Sequence, residues 1–230
     1  MDLTIRKKNE VYLKVEAEPH LHKEAAEFFS FEVESAKYMQ RKNRYRGWDG
    51  KVHLYSPATG EIYCGLVNYL TDWAKRRGYQ YKFEEHAEFG HPEEKNDLIT
   101  PEGVVGFVKA LHLPVKVRDY QYRAVYECLK YNRRLLLSPT ASGKSLMIYS
   151  LVRYHVNVKR KVLIVVPTTS LVEQMYKDFE EYGWMASKYC HKIYSGQEKD
   201  TKADCIITTW QSVYKQPRKW FEKFDVVIGD

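Results

Sequence analysis

The stretch that most constrains the fold of this chain is Ser138-Pro-Thr-Ala-Ser-Gly-Lys-Ser145. The apolar run Leu135–Leu137 precedes it, and a helical pattern follows as far as about Tyr154. Small residues allow backbone N–H groups to turn toward phosphate oxygens, and the N-terminus of a helix attracts anions. This order of strand, loop, Gly-Lys-Ser and helix is typical of a P-loop that binds a nucleoside triphosphate. We therefore expect a strand over Arg134–Leu137 and a phosphate site directly after it.

Several residues of this loop are candidates for nucleotide contacts. Lys144 is predicted to reach the β- and γ-phosphates as a point charge, and the Ser145 hydroxyl is predicted to ligate Mg²⁺. Ser138 occupies a position where the general pattern has Gly, so only the Gly-Lys-Ser part matches strictly, and a solvated turn is the alternative. The loop residues assigned to the nucleotide are Thr140, Ala141, Ser142, Gly143, Lys144 and Ser145.

Helices and apolar strands alternate over residues 98–230, which predicts an α/β fold built on a doubly wound parallel sheet. Continuous apolar strands are typical of a parallel sheet that is covered on both faces. In such folds ligands bind beyond the carboxyl ends of the strands. The predicted strands after the P-loop are Lys161–Val166, Asp204–Thr208 and Asp225–Gly229, and the predicted helices beside them are Asp119–Lys130 and Ser170–Tyr182.

Residues 1–97 have a different pattern, which predicts a small α+β domain in front of the parallel sheet. Six acidic residues together with Gly90 and Pro92 lie between residues 84 and 97 and indicate a linker at the end of this domain. We therefore place the domain boundary between residues 97 and 98. The predicted elements are a β-hairpin over 3–15, helices over Pro19–Phe29 and 66–77, and strands over 31–56, Glu61–Cys64 and Tyr79–Phe83.

The net charge of +7 suggests a polyanionic partner, and the charge is unevenly distributed. Residues 98–230 carry 21 Lys/Arg and 13 Asp/Glu, whereas residues 1–97 carry 16 and 17. A nucleic-acid site in the front domain must therefore be a local patch. The four cysteines and the histidines show no metal-binding spacing, so buried free thiols are expected. We also expect a soluble intracellular protein with no membrane partner, because the chain has no signal peptide and no long apolar run.

One stretch of the front domain forms such a patch. Residues 37–51 contain six basic residues and one acid, interleaved with Tyr38, Tyr45 and Trp48. Basic side chains neutralise phosphates and aromatic rings stack on exposed bases. The alternative is a solvated hairpin in which Trp48 fills the core beneath. The candidates for nucleic-acid contact in this stretch are Arg41, Lys42, Arg44 and Arg46.

Polar residues follow the predicted strands at the edge of the parallel sheet. Gln121 carries a donor and an acceptor that can read adenine, and Arg118 can stack on its ring. Asp230 ends the last apolar strand, where a carboxylate would meet nucleotide-bound Mg²⁺. Taken singly, these residues could be an ordinary helix cap, a strand end or a terminal residue. The candidates for contacts with nucleic-acid phosphates at this edge are Thr168, Thr169, Thr208, Thr209 and Gln211.

This order of motifs resembles the first motor domain of superfamily 2 helicases, a RecA-like fold. The front domain adds Phe28–Glu32, Arg44–Gly50 and Gly65–Val67, which resemble the N-terminal domain of the UvsW family of T4-type bacteriophage helicases. The matching helicase motifs are Arg118/Gln121 for the Q-like motif, Ser138–Ser145 for motif I, Pro167–Gln174 for motif Ia, Thr208–Ser212 for motif Ic and Asp230 for the first acid of the Asp-Glu-x-His box.

The resemblance implies an ATP- and Mg²⁺-dependent helicase that acts on branched or duplex DNA in phage recombination, repair and replication, within the cytoplasm of an infected bacterium. Lys144 and Asp230 are then catalytic, and Ser145 and Asp230 hold Mg²⁺. The second motor domain is absent from this chain, so we expect these 230 residues alone to bind nucleotide weakly and not to hydrolyse ATP. The alternatives are another P-loop enzyme such as a kinase or transport ATPase, an RNA helicase, and a nucleic-acid-binding module with an idle P-loop.

Overall fold

A computed structural model describes residues 1–40, 47–93, 95–131, 133–194 and 201–230. The chain separates into two compact units, Met1–Lys95 and Asn96–Asp230. The predicted domain limits, 1–97 and 98–230, stay a prediction, because compactness does not show that either unit folds alone. In the part of the chain that the structure describes, no helix has the length and apolar character needed to span a bilayer.

Unit 1 contains a five-stranded sheet in the order β5-β6-β2-β1-β7, in which only β1 and β7 are parallel. A separate antiparallel pair joins β3 and β4. The elements of unit 1 are β1 (Leu3–Lys7), β2 (Tyr12–Ala17), α1 (Pro19–Phe28), β3 (Ser30–Glu32), α2 (Ala36–Gln40), β4 (Lys51–His53), β5 (Tyr55–Ser56), β6 (Glu61–Tyr63), α3 (Val67–Arg77) and β7 (Tyr81–Glu84).

The local sequence signals of unit 1 explain most of these elements. Leu3, Ile5, Leu13 and Val15 alternate with more exposed residues and form the buried face of the predicted hairpin, which is confirmed. The two predicted helices are also confirmed, and Gly78 ends α3 in the left-handed conformation at φ 78°. The strand pattern assigned to 31–56 is wrong in part, because α2 interrupts it. The apolar residues there are too few and irregular to separate strand from short helix.

Unit 2 contains a four-stranded sheet in the order β11-β8-β10-β9, and all its strands are parallel. Its structure confirms the predicted α/β class. The strands are β8 (Val162–Val166), β9 (Cys190–Ile193), β10 (Cys205–Thr209) and β11 (Val226–Gly229). The helices are α4 (Pro101–Ala110), α5 (Asp119–Lys130), α6 (Lys144–Asn157), α7 (Thr169–Glu181), α8 (Ala186–Tyr189), α9 (Trp210–Val213) and α10 (Arg218–Phe221).

The centre of the unit 2 core lies around β8 and β10. Ile164 and Ile207 are fully buried and face each other in register, and Phe179 of α7 belongs to the same apolar cluster. β9 was missed by the sequence patterns because Cys190-His-Lys-Ile193 is short and alternates weakly. All four cysteines are free, and the expected burial is confirmed for Cys64, Cys190 and Cys205, whereas Cys128 is half-buried.

The strand predicted over Arg134–Leu137 is wrong. Residues 133–139 have no regular secondary structure, and Leu135 and Leu137 are 86% and 91% exposed. A strand requires a neighbour that completes its ladder of hydrogen bonds. No described strand pairs with this segment. The apolar side chains of this segment alone therefore did not determine its secondary structure.

Candidate nucleotide and nucleic-acid site

The candidate nucleotide loop turns directly into α6. Gly143 caps this helix at φ 80°, and Ala141 also has a positive φ of 62°. Lys144 is the first residue of the helix and its side chain is exposed. An exposed ammonium group at the positive end of a 14-residue helix favours an anion such as a phosphate. The predicted helix after the P-loop is thus confirmed.

Two side chains of α5 hold the loop through the carbonyl oxygen of Ser142. Tyr120 donates its hydroxyl to this oxygen at 2.8 Å, and Gln121 donates through Nε2 at 3.0 Å. The other amide atom of Gln121, Oε1, accepts the backbone N–H of Arg118 at 2.9 Å. Gln121 is only 5% exposed, so both polar ends of its side chain are committed to backbone groups. This arrangement links the N-terminus of α5 to the candidate nucleotide loop.

Gly143 is required at its position for two independent reasons. Its positive φ is a conformation that residues with a side chain rarely adopt. A Cβ atom at this position would also overlap Nε2 of Gln121. The loop can therefore approach Gln121 closely only because this residue is glycine.

Two further hydroxyl contacts fix neighbouring loop residues. The Ser138 and Ser142 hydroxyls are hydrogen-bonded across the loop, so Ser138 has a structural role at the position where the general pattern has Gly. The Ser145 hydroxyl, the candidate Mg²⁺ ligand, lies 3.2 Å from the hydroxyl of Tyr182, which follows α7. A metal ion at Ser145 would compete with this contact.

Asp230 lies at the carboxyl edge of the parallel sheet. Its backbone N–H donates to the carbonyl of Val165 at 3.0 Å, which continues the parallel pairing of β11 with β8. The side chain is exposed. Among the described residues, no group of three or more His, Cys, Asp or Glu side chains could hold a metal ion. Such a group is not required for Mg²⁺, which commonly uses one or two protein ligands together with phosphates and waters.

The Thr168 and Thr169 candidates lie at the N-terminus of α7 and are exposed. Thr168 caps the helix by accepting the backbone N–H of Leu171 at 3.4 Å, and its hydroxyl lies 2.9 Å from that of Ser170. Hydroxyls and unpaired amides at a helix N-terminus suit contacts to phosphate. The structure thus places both residues where a nucleic-acid backbone could reach them.

The Thr208 and Thr209 candidates are buried instead, because β10 continues through both residues. Thr208 donates its hydroxyl to the carbonyl of Ile193 at 2.8 Å, and the Thr209 hydroxyl bonds that of Ser212 at 2.9 Å. Gln211 is exposed on the following turn. Nucleic-acid contacts by these three residues stay predictions, and the structure makes Gln211 the most accessible of them.

The front-domain candidates Arg41, Lys42, Arg44 and Arg46 lie outside the described residues. After this segment, Trp48 is half-buried and donates Nε1 to the carbonyl of Lys51 at 2.8 Å. Trp48 thus helps to close the turn that leads into β4.

Three comparisons relate this geometry to known proteins. Residues 2–84 match the family model described as "DNA helicase UvsW, N-terminal", and residues 114–230 match that of "Type III restriction enzyme, res subunit". A crystal structure of the UvsW helicase from bacteriophage T4 superimposes with a TM-score of 0.84 at 30% identity, covering all of this chain and 82% of that one. The chain belongs to the UvsW family of DNA helicases. The predicted resemblance is therefore confirmed.

Two curated sequence relatives show how much of a longer protein the UvsW-family chain matches. The "ATP-dependent DNA helicase uvsW" of Enterobacteria phage T4 is 32% identical over 239 residues, which cover the whole chain and 46% of that relative. The "DNA 3'-5' translocase XPB2" of Sulfurisphaera tokodaii is 31% identical over 116 residues, which cover half of the chain and 25% of that relative. The chain thus spans less than half the length of these curated relatives.

Sequence reasoning missed some residues at the site of this UvsW-family chain. Tyr120 could have been found from its place beside Gln121, and its hydroxyl supports the loop. Tyr182 carried no signal, because it lies 37 positions from Ser145 and reaches it only through the fold. Trp210 lies inside the recognised stretch Thr208–Ser212, yet it was not assigned a role.

Proposed function

We propose that this chain is the N-terminal part of an ATP-dependent helicase that remodels or unwinds branched DNA during phage recombination, repair and replication in the infected host cell. The observation that carries the proposal is the loop at the start of α6, where Gly143 and Lys144 open a helix that Tyr120 and Gln121 hold by the Ser142 carbonyl. Membership of the UvsW family supports the same conclusion.

The proposed nucleotide is ATP with Mg²⁺, and the loop residues suit it. The exposed Lys144 ammonium and the α6 N-terminus supply positive charge for the phosphates. Thr140, Ala141, Ser142, Gly143 and Ser145 line the turn, and Ser145 and Asp230 supply oxygen ligands for Mg²⁺. ATP hydrolysis supplies the free energy for DNA remodelling. Lys144 and Asp230 are the proposed catalytic residues, and Arg118 and Gln121 the proposed adenine contacts.

Gln121 must rearrange to recognise adenine. Both of its polar atoms are bonded to backbone groups, so reading the base requires the side chain to give up at least one of these contacts. The loss of the Nε2 contact would leave the Ser142 carbonyl held by the Tyr120 hydroxyl and loosen the loop. Nucleotide binding and loop conformation are thereby coupled.

The proposed DNA contacts lie in both units. In unit 2, Thr168, Thr169, Thr208, Thr209 and Gln211 are proposed to meet the phosphate backbone. In the front domain, proposed as residues 1–97, Arg41, Lys42, Arg44 and Arg46 are proposed to contact branched or duplex DNA. Residues 98–230 form the proposed ATP-binding domain. The excess of basic residues in this second domain supports a polyanionic partner.

A nucleotide-binding measurement tests this proposal. We expect a fluorescent ATP analogue to bind the chain with Mg²⁺, and Lys144→Ala to weaken that binding at least roughly ten-fold, because a charge-assisted phosphate contact is lost. Lys177→Ala, an exposed lysine on α7, is the matched control and should bind normally. Equal binding by the native and Lys144→Ala chains would instead support a nucleic-acid-binding module with an idle P-loop.

The DNA part is tested separately by fluorescence anisotropy with fork, duplex, single-stranded DNA and RNA across a salt series. Each lost phosphate contact lowers the log–log salt slope by about 0.7–0.9. The Arg41→Ala/Arg44→Ala/Arg46→Ala variant should therefore lose roughly two to three units of slope and its preference for forks. An unchanged slope and preference would remove the front domain from the proposal, and tighter binding of RNA would favour an RNA helicase.

A further inference from the structure

Trp210 is an exposed indole in a unit that buries its other tryptophans. Its side chain is 55% exposed, whereas Trp184 and Trp220 are buried. Tyr214, one turn further along, is 58% exposed. Large aromatic side chains contribute much of the energy of cores and interfaces, so two of them exposed together indicate a surface that contacts another molecule.

The two rings are held in a defined arrangement. Trp210 begins the short helix α9, and the backbone N–H of Tyr214 donates to its carbonyl at 2.9 Å. The ring centroids lie 5.6 Å apart at an interplanar angle of 60°, an edge-to-face contact. The hydroxyl bond between Thr209 and Ser212 closes the same turn. Trp210 is therefore positioned before any ligand arrives, which lowers the entropy lost on binding.

The turn with Trp210 lies at the carboxyl edge of the sheet. Thr209 is in register with Val166 of the adjacent parallel strand β8. Trp210 and Pro167 consequently leave the sheet side by side, on strands about 4.8 Å apart. Thr168 and Thr169, the exposed phosphate candidates, follow Pro167 directly.

The charge around the two rings favours an anionic ligand. Residues 210–223 contain four basic residues and one acid. The Lys215 ammonium lies 5.5 Å from the centre of the Tyr214 ring, and Lys219 is exposed. The single acid, Glu222, pairs with Arg218 at 2.9 Å. An aromatic platform with cations beside it is typical of single-strand nucleic-acid sites, where bases stack and phosphates meet basic groups.

The geometry points to Trp210 as a stacking platform for a base of single-stranded DNA whose phosphates pass Thr168 and Thr169, with Tyr214 as the residue that positions the indole. This inference rests on the proposed DNA-binding function and adds to it a residue that meets the base rather than the backbone. A duplex keeps its bases stacked on one another, so the ligand must be single-stranded at this point.

The test compares two 20-nucleotide strands of equal charge, oligo(dT) and an abasic oligomer, by fluorescence anisotropy at several salt concentrations. The proteins are the native chain, Trp210→Leu and Trp210→Phe, and circular dichroism checks that each is folded. Leucine keeps an apolar surface but cannot stack, whereas phenylalanine keeps a π-face. Trp210→Leu should weaken oligo(dT) binding roughly ten-fold, and Trp210→Phe should recover most of it.

The abasic strand separates stacking from other roles of Trp210. It should bind the native and Trp210→Leu chains equally, and the salt slope with oligo(dT) should be the same for both, because no phosphate contact is removed. Equal weakening with both strands, or normal oligo(dT) binding by Trp210→Leu, would overturn the stacking role and favour a protein-docking surface. If the native chain binds neither strand even at low salt, DNA binding itself fails and the stacking role fails with it.

Discussion

Two apolar runs of unit 2 look alike in sequence and differ completely in the structure. Val162–Val166 forms β8, pairs with β10 on one side and β11 on the other, and is almost entirely buried. Leu135–Leu137 has no described strand beside it and its leucines are exposed. An apolar run therefore predicts a buried strand only when the fold supplies neighbours on both sides.

The two Thr-Thr pairs at the carboxyl edge of the sheet are likewise similar in sequence and different in burial. Thr168 and Thr169 lie beyond the end of β8 and are exposed, whereas Thr208 and Thr209 still belong to β10 and are buried. β8 and β10 have the same length and are in register, so the position of each Thr pair relative to the strand end separates a hydroxyl that can meet a ligand from one that serves the core.

The largest effect on the free energy of unfolding is expected inside β8. Ile164→Ala should lower the free energy of unfolding by about 2–5 kcal/mol, because Ile164 is fully buried and a cavity would remain. Urea unfolding followed by tryptophan fluorescence measures this, with Val165→Ala at the half-buried neighbour as a milder control. A change below 1 kcal/mol for Ile164→Ala would contradict the central position of β8 in the core.

Low pH should lower the stability of unit 2 through His155. Burial, aided by Arg160 and opposed by Asp225, lowers the pKa of His155 to about 4. Its Nδ1 is buried and has no hydrogen-bond partner among the described residues. Between pH 6.5 and 4, His155 is protonated in the unfolded chain but stays neutral in the folded chain. The free energy of unfolding therefore falls as the pH decreases through this window, by at most about 3 kcal/mol. Urea unfolding at each pH should show a shallower dependence for His155→Gln, and an unchanged dependence would refute the assignment.

An intermediate effect is expected for the Thr pairs. Thr208→Val should destabilise the chain by about 1–2 kcal/mol, because the buried hydroxyl no longer donates to Ile193. Thr168→Ala removes a helix cap at a similar cost of about 1 kcal/mol. DNA affinity separates the two. Thr168→Ala should weaken binding more than Thr208→Val, because Thr168 is exposed, whereas Thr208 can meet a phosphate only if the end of β10 opens. Weaker DNA binding by Thr208→Val at full foldedness would show that β10 opens at its end.

The smallest effect on the free energy of unfolding is expected for Leu135–Leu137, which has no described strand beside it. Leu135→Ser should change the free energy of unfolding by less than about 0.5 kcal/mol, because the side chain is already exposed to water. The same urea titration as for Ile164→Ala measures it. A loss of 2 kcal/mol or more would mean that Leu135 is buried in solution.

The sequence predicted the elements whose signals are local. Helices with strong periodicity, such as α5, and strands with strong apolar runs, such as β8, were found within one or two residues. β9 and α2 were missed, and the strand before the P-loop was wrong. In each of these cases the outcome depends on which segment lies beside the residues, which periodicity does not encode.

The candidate site shows the same division. The Gly143-Lys144-Ser145 turn follows from residue types alone, because only glycine suits the φ of 80° and the close approach of Gln121. The contacts of Tyr182 with Ser145 and of Thr208 with Ile193 join residues that are distant in sequence. Their geometry could be known only after the sheet and its helices were assembled.

The closed contact between Gln121 and the loop has a consequence for nucleotide choice. The amide is already satisfied by Arg118 N–H and the Ser142 carbonyl. If Gln121 contacts the base as proposed, every incoming base therefore competes with the protein itself. A base that offers a matching donor and acceptor replaces what is lost, whereas one that matches poorly leaves a buried polar group unpaired, at about 1–3 kcal/mol. Discrimination among bases at this proposed site then arises less from attraction to the correct base than from the protein's own hydrogen bonds to Gln121, which only the correct base can replace.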